Sequence, residues 1–166
     1  MITLRCTQKL RKYLGIVLVE KPEPATAVLG DWYANLIPTF SGDLIIFVNE
    51  KTLLTVAVPV WESDNLIPQF CLRVANLLGM IGIHPKVIAD EISHLDNIQF
   101  AKTASRSVLG SMNDFAAIYQ IVAEGSDMSL SNAELNLSQT PCKPLGYSVP
   151  AEAAKELLNT MRKNAS

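Results

Sequence analysis

Apolar and polar side chains alternate strictly at the amino-terminal end of the chain. The alternation over 2–6 predicts a strand with one buried face. Thr7 follows at once and belongs to the residue types that cap helices, while Gly15 is suited to end a helix in a left-handed conformation. We therefore expect a strand that passes directly into a short helix. The apolar segment 16–19 is compatible with a further short strand, before two prolines break any regular structure.

Further strands are predicted along the chain. The segment 31–37 fits either a strand or a helix, and we favour a strand. The apolar runs 43–48 and 53–60 are separated by a short polar connection, which predicts a β-hairpin. Their nearly continuous apolar character is typical of strands that helices cover on at least one face. Residues 98–102 are predicted to form another strand.

Helices are predicted mainly in the second half of the chain, where apolar residues recur at intervals of three and four. The expected helices cover about 64–80, 85–95 and 105–124, with boundaries set by capping residues, prolines and glycines. The mostly polar segment 126–147 is predicted to be loop-rich, with three leucines as possible strand anchors. A C-terminal helix is expected over 148–164, opened by a proline.

The order of these elements indicates the fold class. Strands cluster early and helices late, which is typical of an α+β protein. We therefore expect one domain, residues 1–166, with a mostly antiparallel sheet packed against about four or five helices. The 166 residues leave no room for two domains of ordinary size.

Composition excludes several classes of protein. Hydrophobic residues make up 49% of the chain and charged residues 18%, which excludes intrinsic disorder. A net charge of −2 gives no overall electrostatic attraction for nucleic acid, so any such binding must be local. No apolar run approaches the roughly 20 residues that a membrane-spanning helix requires.

The cysteines and histidines do not indicate a cofactor. Cys6, Cys71 and Cys142 are widely spaced, which matches neither a disulfide framework nor a zinc site and indicates a reducing compartment. His94 and Asp90 have the spacing of two metal ligands on a helix, but two ligands are too few for a site. We expect a cytoplasmic protein that needs no metal and no cofactor.

The long helix predicted over 105–124 carries the main functional candidates. The side opposite its apolar stripe contains a glycine, which lowers helix stability by about 1 kcal/mol relative to alanine. This indicates that a ligand, another subunit or a loop of the same chain approaches the backbone there. The start of the helix offers free N–H groups and the positive end of the helix dipole, which suit an anion. The predicted ligand-binding residues are Lys102, Ser105, Arg106, Gly110 and Asn113.

A purely structural interpretation of the same residues stays open. Ser105 can act as an ordinary N-cap, and Arg106 can be a solvated or ion-paired side chain. Trp32, Tyr33 and Phe40 have a similar pair of interpretations, because aromatic side chains line pockets and interfaces as well as cores. We interpret these three as core residues.

Three functional hypotheses fit the pattern. The first is a non-enzymatic binding or interaction protein that self-associates or holds an anionic small molecule or a nucleic-acid phosphate. The second is an RNA- or nucleotide-directed enzyme of toxin type, in which Lys102 and Arg106 bind phosphate and His94 transfers protons. The third is a regulator that contacts DNA through the basic N-terminal segment, which contains Arg5, Lys9, Arg11 and Lys12. We favour the first.

Several segments together resemble a family of small bacterial proteins known only as a domain of unknown function. They are MITLRCTQKL at 1–10, GDWY at 30–33, FVNEKTLLT at 47–55 and the segment 100–115. The resemblance extends over most of the chain to about residue 125. It implies a stand-alone bacterial protein, and it carries no catalytic residue over to this sequence.

Overall fold

A computed structural model describes residues 1–125 and 128–165 of the chain. The fold is α+β and forms a single domain, as predicted. The strands are β1 (Ile2–Cys6), β2 (Trp32–Ile37), β3 (Leu44–Asn49), β4 (Thr55–Pro59) and β5 (Ile98–Lys102). The helices are α1 (Gln8–Leu14), α2 (Leu66–Met80), α3 (Pro85–Ser93), α4 (Arg106–Ala123), α5 (Leu130–Ser138) and α6 (Pro150–Ala165).

The five strands form one mixed sheet in the order β4-β3-β2-β1-β5. The predicted hairpin is confirmed, since β3 pairs with β2 and β4 in antiparallel fashion. Strand β1 instead pairs in parallel with both β2 and β5, so the sheet is not mostly antiparallel as we expected. The reason is that α1 lies between β1 and β2 in the chain, and α2 and α3 lie between β4 and β5. Such helical connections return the chain in the same direction.

Helices cover both faces of the sheet. One face packs against α2 and α6, where Trp32 meets Phe70 edge to face at 5.3 Å between ring centroids. The other face packs against α4 and α5, with Tyr33 among its buried residues. Strand β3 is buried along its whole length between the two layers, which explains the nearly continuous apolar run in its sequence.

The turn between β3 and β4 holds the segment before β2 through one buried side chain. Asn49 is fully buried, and its Nδ2 donates to the carbonyl oxygens of Leu29 at 3.0 Å and Asp31 at 3.2 Å. Its Oδ1 accepts from the N–H and the hydroxyl of Thr52 at 2.9 and 2.8 Å. Asn49 therefore joins the chain entering β2 to the hairpin.

Two sequence expectations differ from the structure in the less regular segments. Residues 16–19 form no strand. The polar segment 126–147, as far as the structure describes it, contains helix α5 and a short 3-10 helix at Lys143–Leu145. The strand interpretation of its leucines is wrong because Ser129 caps a helix there, and Ala133 and Leu137 bury one side of it. The described chain thus has one α-helix more than the upper expected number.

Candidate functional site

Helix α4 forms one wall of the candidate site and is fixed by its cap and by its buried stripe. The Ser105 hydroxyl accepts a hydrogen bond from the Val108 N–H at 3.2 Å, and the Ser105 N–H donates to the Tyr33 hydroxyl at 3.0 Å. The buried side chains then recur at intervals of three and four and face the sheet. The sequence predicts a core stripe at Val108, Met112, Phe115, Tyr119 and Val122; the first four are buried, and Val122 is partly buried.

Helix α5 forms the facing wall and is held in place by a buried ion pair. Glu134 is 2% exposed, and its carboxylate accepts hydrogen bonds from two nitrogens of Arg73 in α2, with Nε at 2.8 Å. Burial raises the pKa of Glu134 to about 7, although the Arg73 charge and a hydrogen bond from the Ala57 backbone oppose the rise. Ala57 belongs to the edge strand β4. Glu134 therefore ties α5 both to α2 and to an open edge of the sheet.

A groove of about 680 Å³ lies between α4, α5 and the segment 140–144. Small-molecule sites have volumes of about 300–1,000 Å³ and mostly apolar walls with a few polar groups, and this groove has both properties. Residues of α4 recur on one wall at intervals of three and four: Arg106, Gly110, Asp114, Ile118 and Ile121. The opposite wall includes Met128, Asn136, Leu137, Cys142 and Lys143.

The two ends of the groove differ in chemistry. The connection between α4 and α5 is short, so the two helices run antiparallel. Arg106 and Lys143 are therefore placed toward the start of α4, where the helix dipole adds positive charge. Ile118, Ile121 and Met128 lie toward the other end and are 42%, 63% and 37% exposed. With a rise of 1.5 Å per residue, Arg106 and Ile121 are about 22 Å apart along the helix axis.

The structure brings only part of the predicted ligand-binding set to the groove. Arg106 and Gly110 line it, whereas Lys102, Ser105 and Asn113 do not. Lys102 is exposed at the end of β5, and its carbonyl oxygen accepts from Arg5 Nη1 at 3.2 Å. Ser105 acts as the N-cap of α4, and Asn113 is exposed on the adjoining side of that helix.

The surroundings of Gly110 exclude one of the three alternatives that the sequence left open. Among the described residues outside the helix backbone, no atom lies within 4 Å of the position that a Cβ on Gly110 would take. No loop of the described chain approaches the backbone there, which leaves a ligand or another subunit as the alternatives. The glycine instead leaves open space in the wall of the groove.

The residues of the proposed enzyme site do not converge. The Nδ1 atom of His94 lies 2.9 Å from the Thr26 hydroxyl, next to the start of β5. Lys102 is the last residue of β5, and Arg106 follows it at the start of α4. The length of the strand, about 13 Å at 3.3 Å per residue, therefore separates the histidine from the two cations.

Cys142 lines the groove, but its environment disfavours the thiolate. Burial raises the pKa of its thiol, and the negative charge of Asp114 raises it further. In residues 1–125 and 128–165, no group of three or more His, Cys, Asp or Glu side chains could hold a metal ion.

The basic character of the N-terminal segment is reduced by pairing. The Arg5 guanidinium lies 3.8 Å from the Asp31 carboxylate and also donates to the Lys102 carbonyl. Lys9 and Lys12 are exposed on α1. No helix in the described part of the chain is long and apolar enough to cross a membrane.

Several groove residues were not predicted from the sequence. At about 100° per residue, Asp114, Ile118 and Ile121 fall between the core stripe and the polar side of α4. Two exposed isoleucines on this flank were the available signal, because a solvated helix face is usually polar. Lys143 gave no signal of this kind, since its approach to α4 depends on the path of the chain after α5.

Comparison with protein families identifies the group to which this chain belongs. Residues 3–153 match a family described as a domain of unknown function (DUF6933), and the chain is a member of that family. The resemblance noted in the sequence is thereby confirmed at the level of the family. No curated protein and no solved structure matches the chain.

Proposed function

We propose that the protein is a non-enzymatic binding protein and that the groove between α4 and α5 holds a small ligand with an apolar body and an anionic group. One observation carries the proposal: a groove of about 680 Å³ is apolar at one end and cationic at the other. The ligand lies along α4, with its anionic group at the start of the helix. No proton transfer is part of the proposal.

The charges in the groove favour this orientation of the ligand. Arg106 supplies a guanidinium that can donate two hydrogen bonds to one carboxylate, sulfonate or phosphate. Lys143 and the free N–H groups at the start of α4 add positive charge at the same end. Asp114 lies two turns further along α4 and repels an anion from the middle of the groove. Ile118, Ile121 and Met128 then accept the apolar body.

The proposal can be tested with two fluorescent probes that share an apolar ring system. The anionic probe is 1-anilinonaphthalene-8-sulfonate, and its neutral counterpart is N-phenyl-1-naphthylamine, which lacks the sulfonate. We expect saturable binding of both to the folded protein. Arg106→Gln is expected to weaken binding of the anionic probe about tenfold, the effect of losing one charge-assisted hydrogen-bonding partner. The affinity of this variant for the neutral probe is expected to stay within about twofold of the original value.

The matched control variant is Lys9→Gln, which removes an exposed cation far from the groove and leaves both affinities unchanged. Ile121→Ser is expected to lower the affinity for both probes, because it removes an apolar side chain from the apolar end of the groove. Saturable binding of neither probe would refute the proposal. An equal loss of affinity for both probes in Arg106→Gln would also refute the proposal, since the guanidinium would then have no role in recognising the anion.

The compartment and the assembly state belong to the same proposal. The free thiols of Cys6, Cys71 and Cys142 support a reducing compartment, for which we propose the bacterial cytoplasm. Self-association and binding of nucleic-acid phosphate stay predictions. Sedimentation over a range of protein concentrations measures the first, and salt-dependent binding to an RNA or DNA oligonucleotide measures the second.

A further inference from the structure

Two large aromatic side chains are exposed at the end of the sheet, beside the end of α4. Phe40 is 89% exposed in the turn between β2 and β3, and Trp61 is 68% exposed just after β4. We call this pair the aromatic corner. Neither residue lines the groove. Exposed aromatic residues at one place on a protein are typical of interaction sites, because they contribute a large contact area and few rotatable bonds.

The turn that carries Phe40 is braced on two sides. The Gly42 N–H donates to the Thr39 carbonyl at 3.3 Å, and the Thr39 hydroxyl donates to the Gly42 carbonyl. The Ser41 hydroxyl donates to the Ala123 carbonyl at the end of α4, at 3.2 Å. Phe40 is therefore held outward by its own turn, and its exposure does not result from a free loop end.

The Trp61 ring rests on the same turn. Gly42 has φ +123°, which side-chain-bearing residues rarely adopt, and a Cβ at this position would lie 3.3 Å from Cζ3 of Trp61. The absence of a side chain at Gly42 thus makes room for the indole. With one part of the ring against the turn, the remaining 68% of Trp61 is available to a partner.

The charge around the aromatic corner is negative. Asp43 follows the turn, and Glu62 and Asp64 lie with Trp61 in the short 3-10 helix Val60–Asn65. The turn also touches the negative end of the α4 dipole through Ser41. The sequence contains no Lys or Arg between residues 22 and 50 or between 52 and 72.

We propose that the aromatic corner docks a segment of a partner protein that presents arginine or lysine side chains. A cation of the partner lies over the open part of the Trp61 ring, and Phe40 contacts the apolar stem of the same or the next side chain. The carboxylates of Glu62 and Asp64 provide the counter-charge. The same negative charge disfavours nucleic acid and anionic membranes at this surface. The proposal is independent of the ligand in the groove.

The two tryptophans of the chain make the surface directly observable. Trp32 is 1% exposed and Trp61 is 68% exposed, so a change in emission caused by a docked peptide comes from Trp61. The probe is a short synthetic peptide in which arginine alternates with glycine. A peptide with glutamate in place of arginine is its control. We expect a saturable change in emission with the arginine peptide, none with the glutamate peptide, and none with either in Trp61→Phe.

Variants separate specific docking from bulk charge attraction. Phe40→Ser and the double change Glu62→Gln with Asp64→Asn are each expected to weaken peptide binding about fivefold or more, as the loss of one apolar or charged contact predicts. Leu72→Ser removes an exposed apolar side chain elsewhere, on α2, and leaves binding unchanged. Circular dichroism confirms that each variant is folded.

Four outcomes would overturn the proposal. The first is the absence of a saturable change, and the second is equal binding of the glutamate peptide. The third is concentration-dependent sedimentation of the protein alone that Phe40→Ser abolishes, because the occupant would then be a second copy of this chain. An affinity for the arginine peptide that Phe40→Ser leaves unchanged also contradicts docking at this surface.

Discussion

Substitution of Gly110 by alanine and by leucine tests the groove through two measured quantities. Alanine is expected to increase the stability of the protein, and leucine to decrease its affinity for a ligand. Gly110 lies inside α4 and is not among the glycines with positive φ, so its backbone conformation suits any residue. A Cβ there meets no other part of the described chain within 4 Å. Gly110→Ala is therefore expected to stabilise the protein by about 1 kcal/mol, the difference in helix propensity between the two residues.

The expected shift is large enough to measure. For a protein of this size, about 1 kcal/mol corresponds to an increase in Tm of about 2–4 °C. Urea unfolding with an unchanged m value gives the same quantity independently. One methyl group occupies little of the groove, so binding of the naphthalene probes by Gly110→Ala stays within about threefold.

Gly110→Leu is expected to separate stability from binding. Leucine is also a better helix former than glycine, so stability is retained. Its side chain extends into the groove and competes with the ligand for space, so binding of both probes falls by about tenfold or more. Ala117→Gly is the matched control: Ala117 is exposed on the same helix and does not line the groove. Ala117→Gly is expected to lower the free energy of unfolding by about 1 kcal/mol and to leave the affinity for both probes unchanged.

Two results would refute the reasoning. Destabilisation by Gly110→Ala would mean that the space around this glycine is occupied in solution. Unchanged probe binding in a folded Gly110→Leu protein would mean that the ligand does not lie in the groove between α4 and α5. Neither result changes the stability loss expected for Ala117→Gly. The effect of helix propensity on stability and the effect of groove volume on binding are therefore measured independently.

Two further predictions concern buried polar groups. The pKa of Glu134 is about 7 in the folded protein and 4.5 in its ordinary state, so the folded state holds this proton more tightly and the free energy of unfolding falls as pH rises through this interval. Glu134→Gln is expected to remove this pH dependence, which urea titrations from about pH 5 to 8 measure. If the free energy of unfolding of Glu134→Gln still fell with pH as steeply as that of the unmodified protein, the assignment to Glu134 would be contradicted. Asn49→Ala leaves several buried backbone groups without partners and is expected to lower the free energy of unfolding by about 2–4 kcal/mol in urea titrations, whereas a loss below about 1 kcal/mol would show that water replaces these bonds.

Most of the fold was predictable because its elements have strong periodic patterns. The strand at 2–6, the hairpin and the helix at 105–124 each bury a continuous set of side chains, and that requirement is visible in the sequence. Helix α5 was missed because its position depends on Glu134 and Arg73, which lie far apart in the chain. A nine-residue helix is marginal by local propensity alone, so its tertiary contacts decide whether it forms.

The candidate site was predictable only in part for a related reason. Gly110 was predicted because a glycine on the polar side of a long helix is unusual, and Arg106 because the start of a helix suits an anion. Both signals are local. The other wall comes from residues after α5, whose placement against α4 follows from the path of the chain and from no pattern in the sequence. Sequence periodicity therefore located one side of the groove and gave no indication that a second side faces it.

Phe40 is a second case in which local sequence gave the wrong environment for a side chain. Trp32 and Tyr33 are buried as predicted, but the core interpretation of Phe40 is wrong because this residue is exposed. Its aromatic type alone favours burial. The turn directs it outward because Ser41 bonds to the end of α4 and Gly42 accommodates Trp61, and both contacts join segments distant in sequence. A protein that uses long-range contacts to hold an aromatic residue in solvent forgoes the burial of that side chain, and a partner that covers Phe40 recovers it.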